Sequence, residues 1–149
     1  MKKQRRRVGD IVKITLESGS FCFGRVLQEP LMAFYDLNVP MIPDIDSIIS
    51  ARIIFKVWVM RRAITSGRWQ IIGNREVDAE TACVPVFFKQ DAVSKTFSKY
   101  FDDKEIPATG KECLGLERAA VWDPEHIEDR LRDHFAGRSN VWVESLKPA

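Results

Sequence analysis

The sequence predicts a mainly β, α+β fold, in which an antiparallel, strongly curved or barrel-like sheet precedes one C-terminal amphipathic helix. Two patterns lead to this prediction. Short segments of alternating apolar residues follow one another through the first half, and an apolar residue recurs every fourth position near the end. The composition agrees, since 149 residues that are 45% hydrophobic and 30% charged suit one globular domain with its own core.

The first two predicted strands form a hairpin. Residues 10–16 place Val12 and Ile14 on one face, with polar residues between them. A four-residue turn that contains glycine follows, and the second strand covers residues 21–27. Gly24 inside this strand indicates a bulge or a close backbone approach, as expected where a small sheet bends.

Further strands follow in sequence. They are predicted at residues 32–37, 52–60, 68–72 and 84–88. The second of these is apolar on both faces, which is typical of a central strand. Between residues 37 and 52, Asp44 or Asp46 is suited to cap a short helical turn. A sequential antiparallel meander is the simplest topology, whereas residues 89–120 contain no pattern strong enough to place an element.

The amphipathic helix is predicted at residues 124–136. Asp123 and Pro124 suit its N-cap and first helical position, and Gly137 suits its C-terminal end. Its apolar stripe consists of Ile127, Leu131 and Phe135. The apolar run at residues 141–143 predicts a last strand that pairs with the sheet.

The basic residues are concentrated at the N-terminus. Residues 1–7 hold five of the 23 basic residues, so residues 8–149 carry 18 basic and 21 acidic residues, a net charge of −3. We predict a basic, flexible tail over residues 1–7 and a single domain over residues 8–149. Because the domain has no positive surplus, a phosphate-binding groove is disfavoured. A small β-barrel that binds nucleic acid through the basic N-terminal arm stays open as the alternative.

The sequence contains no recognisable catalytic or metal-binding pattern. Cys22, Cys83 and Cys113 are odd in number and widely spaced, and Cys22 and Cys83 are expected to be buried. His126 and His134 lie two helical turns apart, too far for a shared zinc ion. We therefore predict no enzymatic activity, no cofactor and no metal, although a hydrolase with a site hidden from sequence spacing remains an alternative. With no long apolar segment and no secretory signal, the expected location is cytoplasmic, without a membrane partner.

Aromatic residues beside charged ones are the candidate binding residues. Tyr35 precedes Asp36, and Trp69 follows Arg68. Alternate residues of a strand face away from the core, so Tyr35 and Trp69 are the rings expected near the surface. Such pairs are typical of binding hot spots. The alternative is that every tryptophan lies in the core.

Five motifs, in this order, resemble the immunity protein 26 family. They are Val8–Ile14, Phe23–Leu27, Ala33–Asp36, Phe55–Val59 and Gly67–Gly73, and the resemblance spans roughly residues 8–90. Proteins of this family belong to bacterial polymorphic toxin systems and protect cells from a toxin. The resemblance implies a mostly β immunity protein that binds a cognate toxin domain and covers its active site without catalysis.

The residues that match recurring motif positions are the partner-binding candidates. They are Arg25, Tyr35, Asp36, Arg68 and Trp69. A buried pair between Arg25 and Asp36 is the structural alternative for two of them. The acidic domain favours a basic toxin, because opposite charges steer association. A homodimer through an exposed edge strand is a further expectation.

Overall fold

Two β-sheets and five α-helices, of which only one is long, make up the protein, whose computed structural model describes residues 1–149. The first sheet contains β1 (Asp10–Thr15), β2 (Phe21–Val26), β3 (Leu31–Tyr35), β4 (Ile53–Val59), β5 (Gln70–Asn74) and β10 (Val121–Trp122). The second contains β6 (Phe87–Gln90), β7 (Phe97–Phe101), β8 (Lys104–Ala108) and β9 (Glu117–Arg118). The α-helices are α1 (Ile45–Ile49), α2 (Arg62–Thr65), α3 (Ala79–Ala82), α4 (Pro124–Phe135) and α5 (Val141–Ser145).

The predicted fold class is confirmed, because the structure is mainly β and its one long helix lies near the C-terminus. Strands β1 to β4 form the predicted antiparallel meander, in the sheet order β10-β4-β3-β2-β1-β5. Two short parallel pairs, β10 with β4 and β9 with β6, make both sheets mixed. The first sheet is open, with β5 and β10 at its edges, and does not close into a barrel.

The sequential meander ends at β4. The next strand, β5, pairs with β1 at the opposite edge instead of with β4. The connection carries Ala63, Ile64 and Trp69, all buried in the same core cluster as the first face of the sheet. Because these side chains are buried against the first face, the chain crosses that face and reaches the edge of the sheet opposite β4.

The first sheet has a core on each face. On the first face, a cluster of 16 buried residues includes Phe34 and Trp122, and α4 covers it with Ile127 and Leu131. On the second face, Tyr35 packs in a cluster with α1, and a further cluster joins this sheet to β6 of the second sheet. Burial on both sides explains why β4 is apolar on both faces.

The predicted amphipathic helix is confirmed to within one residue, because α4 covers Pro124–Phe135. Asp123 is its N-cap by backbone geometry, and Gly137 adopts the left-handed conformation just beyond its end, with φ at 69°. Ile127 and Leu131 are fully buried. None of the helices combines the length and the apolar composition needed to cross a membrane.

The predicted last strand is wrong, because residues 141–145 form helix α5. Asn140 sets this outcome, since its side-chain oxygen accepts hydrogen bonds from the backbone N–H groups of Trp142 (3.1 Å) and Val143 (3.0 Å). Its side-chain amide also donates to Asp133 of α4, at 2.8 Å. An N-cap anchored to a neighbouring helix thus overrides the β propensity of the two valines and the tryptophan.

Residues 1–7, expected to form a flexible tail, contact the first sheet through Gln4. Its Nε2 donates to the carbonyls of Ile64 (2.9 Å) and Trp69 (2.8 Å), and its Oε1 accepts from the N–H of Ile71 (2.8 Å). Its backbone N–H donates to the carbonyl of Thr65 at 3.1 Å. The Gln4 side chain therefore satisfies backbone groups in α2, just before β5 and in the edge strand β5 itself, which would otherwise need water.

Replacing Gln4 with alanine is expected to lower the free energy of unfolding by about 1–3 kcal/mol, because partly buried backbone groups lose their partners. Urea denaturation measures this change. The control is Gln70→Ala, at an exposed glutamine of β5 without side-chain hydrogen bonds, where a change of no more than about 0.5 kcal/mol is expected. Identical denaturation midpoints for Gln4→Ala and the unaltered protein would show that Gln4 contributes nothing.

Candidate functional site

Arg25 and Tyr35 lie together inside the protein, with exposures of 2% and 1%. The Arg25 Nη1 donates to the Tyr35 hydroxyl at 3.2 Å, and its Nε donates to the Gly9 carbonyl at 3.1 Å. Its Nη2 donates to the carbonyls of Arg75 (2.7 Å) and Glu76 (3.1 Å). Every acceptor is a neutral oxygen, so the guanidinium ties the backbone around β1 and β5 together without a carboxylate.

The expectation that Tyr35 lies near the surface is wrong, because α1 packs on that face and buries Ile48 beside it. The alternative pair between Arg25 and Asp36 does not form either. Successive residues of an extended chain point to opposite sides. Tyr35 faces Arg25, and Asp36 turns instead toward Arg52 and the end of α4.

Asp36 connects the end of β3 to the last turn of α4. Its Oδ2 accepts from Arg52 at 2.9 Å, and its Oδ1 lies 3.1 Å from Nε2 of His134. The hydrogen bond from Arg52, followed by that from His134, lowers the pKa of the Asp36 carboxyl group below its ordinary value. About a third of the Asp36 side chain is exposed, so this ion pair lies at the surface.

Arg68 and Trp69 both donate hydrogen bonds to the Glu128 carboxylate of α4, Arg68 from the surface and Trp69 from the core. The expectation that Trp69 lies near the surface is wrong, because its side chain is 1% exposed. Its Nε1 donates to Glu128 at 2.9 Å. Its ring meets that of Phe34 edge-on, with centroids 5.7 Å apart. The partly exposed Arg68 donates to both Glu128 oxygens, at 2.7 and 2.9 Å, which raises the pKa of its guanidinium.

Asp36 and Arg68, the two members of the predicted set that reach solvent, hold α4 from opposite flanks. With 100° of rotation per residue, Glu128 lies on one side of the buried stripe and His134 on the other. Between them, the outward residues His126, Asp129 and Asp133 are covered by α5 and its N-cap Asn140. We call the two flanks together the helix surface; its residues are Asp36, Arg68, Glu125, Glu128, Arg132 and His134.

Charges on the helix surface are matched within the chain. Arg62 donates to both oxygens of Glu125, at 3.0 and 2.8 Å, which lowers the pKa of Glu125 to about 2. Arg132 pairs with Asp129 at 2.7 Å. These paired side chains form an ordered polar surface with little unbalanced charge, and each exposed pair adds little stability.

Sequence reasoning missed the residues of α4 that bind the predicted set, above all Glu128. The signal was present, since acidic residues flank the apolar stripe of the predicted helix. Their partners lie about 60 residues earlier in the chain and follow only from the three-dimensional packing. Trp142, expected in a strand, belongs to α5. It stacks on His126 with ring centroids 3.6 Å apart and donates to Asp129 at 3.1 Å.

The histidines, cysteines and carboxylates do not form a metal centre. No set of three or more His, Cys, Asp or Glu side chains is arranged to hold a metal ion. Cys22 is buried as expected, and burial raises the pKa of its thiol to about 11. Cys113 is buried too, whereas Cys83, expected inside, is exposed because it follows α3 on the surface.

A family model described as Immunity protein 26 matches residues 7–99, from just before β1 into β7. The matched part contains Arg25, Tyr35, Asp36, Arg68 and Trp69, whereas α4 follows it. No curated protein matches the chain, and no solved structure does.

Proposed function

The chain belongs to the immunity protein 26 family, whose model matches more than half of it, and from this premise we propose that it neutralises a cognate bacterial toxin. It binds the toxin domain and covers the active site, without chemistry of its own. The family match is the observation that carries the proposal. It confirms the resemblance of the five sequence motifs and implies an immunity role with a toxin as partner.

The first sheet is suited to act as a rigid binding scaffold. It is buried on both faces, and Arg25, Tyr35 and Trp69 are used inside it to hold strands and helix together. Interfaces of pre-organised inhibitors change their backbone little on binding and lose little conformational entropy. In this proposal the three buried residues support the contact surface and do not touch the toxin.

Asp36 and Arg68 are the proposed contact residues, on the helix surface. Both side chains reach solvent, and both are already held by partners on α4. Side chains that are ordered before binding lose less rotamer entropy in the complex. The net charge of −3 on residues 8–149 supports a basic toxin as the partner, because it steers association with a positive surface.

We propose the cytoplasm as the place where this protein acts. All three cysteines are free, as is usual in a reducing compartment. A homodimer through an edge strand stays a prediction. The edge of β5 carries Gln4 and that of β8 carries charged residues and Pro107, which are features that weaken strand pairing.

Co-expression with the toxin gene from the same locus tests the proposal, with cell survival and co-purification as readouts. The unaltered protein is expected to restore survival and to co-purify with the toxin. The double variant Asp36→Asn, Arg68→Gln keeps the net charge and is expected to bind the toxin more weakly.

A matched control changes two exposed residues without ion pairs, Glu76→Gln and Lys111→Gln, and is expected to bind normally. If no toxin of the locus is bound or neutralised by the unaltered protein, the proposed function is wrong. If the Asp36 and Arg68 double variant binds as tightly as the control, the helix surface is not the contact surface.

A further inference from the structure

An aromatic pocket lies between the two sheets, at the opposite end of β3 from Asp36. It has a volume of about 310 Å³ and lies where the β2–β3 turn approaches the β7–β8 turn. Trp58 of β4 contacts Phe87, with ring centroids 4.8 Å apart, and meets Tyr100 of β7 edge-on at 5.8 Å. We call it the intersheet pocket. Its aromatic wall comes from both sheets, so their packing fixes its shape.

Three carboxylates and no lysine or arginine line the intersheet pocket. The acidic residues are Glu29, Asp102 and Asp103. Glu29 already has a cation, since Arg61 lies 3.6 Å away. Asp102 and Asp103 are exposed and form no ion pair, and Asp103 accepts a hydrogen bond from the Tyr100 hydroxyl at 3.0 Å. The pocket therefore has unbalanced negative charge beside aromatic rings.

The basic residues around the intersheet pocket leave the charge of Asp102 and Asp103 unbalanced. Arg6 donates to the carbonyl of the lining residue Leu31 at 2.9 Å, and its charge acts on Glu29. Lys89 lies over the Tyr100 ring at 4.4 Å, and its ammonium group is paired with Glu105 at 3.5 Å. Lys104, which follows Asp103 in the turn, does not line the pocket. The helix surface differs in this respect, because its carboxylates are matched by arginines of the same chain.

We propose that the intersheet pocket binds one arginine side chain of the partner protein. A planar guanidinium stacks on an aromatic face and donates hydrogen bonds to carboxylates at its edge, and both kinds of group are present here. Under the proposed function this arginine belongs to the toxin, and the acidic charge of residues 8–149 favours such a partner. The pocket and the helix surface lie on opposite faces of the first sheet, so the co-expression variants decide which of the two the toxin contacts. A partly apolar concave site with a few polar groups at its rim is also the usual form of an anchoring pocket.

The turn that carries the two aspartates allows a conservative test. Asp102 and Asp103 both have left-handed backbone conformations, with φ at 49° and 58°. Asparagine adopts this conformation as readily as aspartate, and its amide oxygen can still accept the Tyr100 hydrogen bond. The double variant Asp102→Asn, Asp103→Asn therefore removes two charges while it keeps the turn.

The probe is the blocked tripeptide Gly-Arg-Gly, titrated into isotope-labelled protein while NMR follows the indole N–H of Trp58. We expect saturable binding with a dissociation constant of about 1 mM, the affinity of a single small contact. The same tripeptide with citrulline, which is neutral and nearly isosteric, is expected not to bind. Binding is expected to weaken about tenfold in Asp102→Asn, Asp103→Asn.

The matched control is Glu76→Gln, Glu80→Gln, which removes two charges from exposed residues outside the pocket and is expected to keep the affinity. Equal binding of the citrulline peptide would overturn the proposal, as would equal binding of a lysine peptide. Unchanged affinity in the double asparagine variant would overturn it too.

Co-expression with the toxin separates this proposal from the proposed function on which it rests. If the unaltered protein neutralises the toxin and the double asparagine variant does so poorly, the pocket belongs to the interface. Full neutralisation by that variant would remove the pocket from the interface and leave the proposed function standing. If the unaltered protein does not neutralise the toxin, the proposed function fails, whereas the peptide titration still decides whether the pocket binds arginine.

Discussion

Replacing Arg25 with methionine is expected to lower the free energy of unfolding by about 3–5 kcal/mol. Arg25 donates hydrogen bonds to four oxygens, and among these the Gly9 carbonyl and the Tyr35 hydroxyl lie deepest in the protein. Methionine fills similar space and supplies no donor. Each buried polar group left without a partner costs about 1–3 kcal/mol. Urea denaturation monitored by circular dichroism measures the loss.

The matched control is Arg52→Met, at an arginine whose side chain is 75% exposed and forms an ion pair with Asp36. It is expected to cost no more than about 1 kcal/mol. Arg25→Lys is a second test, because the ammonium group of lysine cannot donate to all four of the separated acceptors that the planar guanidinium reaches. It should therefore remain clearly less stable than the unaltered protein. Equal denaturation midpoints for Arg25→Met and Arg52→Met would contradict the argument that the buried hydrogen bonds stabilise the fold.

Elements that depend on local signals were predictable from the sequence. Helix α4 follows from a proline at its start, a glycine just beyond its end and an apolar residue every fourth position. Strands β1 to β4 follow from alternation and from turns that contain glycine or proline. Their order in the sheet also follows, because hairpin partners are neighbours in sequence.

Features that depend on what covers a surface were not predictable in the same way. Alternation correctly indicates that Tyr35 and its neighbours point to opposite sides, but it does not reveal that α1 and the second sheet bury the second face. The path from β4 to β5 is set by the burial of Ile64 and Trp69, and the helical form of α5 is set by Asn140. Each of these depends on contacts between distant segments.

The same limit applies to the candidate site. The five residues chosen from the sequence are divided by the structure into three internal side chains and two at the surface. Arg68 and Trp69 are neighbours in sequence and both donate to Glu128. Arg68 reaches this carboxylate from the surface, and Trp69 reaches it from the core. Asp102 and Asp103 lie in the turn between β7 and β8. Their position beside Trp58 requires the second sheet, for which the sequence contained no clear pattern.

Trp69→Ala is expected to lower the free energy of unfolding by about 3–5 kcal/mol, the usual cost of truncating a buried tryptophan. The ring lies between the first face of the sheet and α4, where its loss leaves a cavity beside Phe34. The indole hydrogen bond to Glu128 is lost with it. Circular dichroism during urea denaturation is the appropriate readout, because the substitution itself changes the tryptophan fluorescence.

Trp142→Ala is the matched control, because both tryptophans donate their indole N–H to a carboxylate of α4. Trp142 bonds to Asp129 and stacks on His126, but it is only half-buried and packs at the edge of the core. Its truncation leaves a gap that water can fill, so a loss of about 1–2 kcal/mol is expected. If the two variants lose the same stability, the indole hydrogen bonds hold α4 in place. A larger loss for Trp69→Ala means that the buried ring does so, and this is the result that the structure predicts.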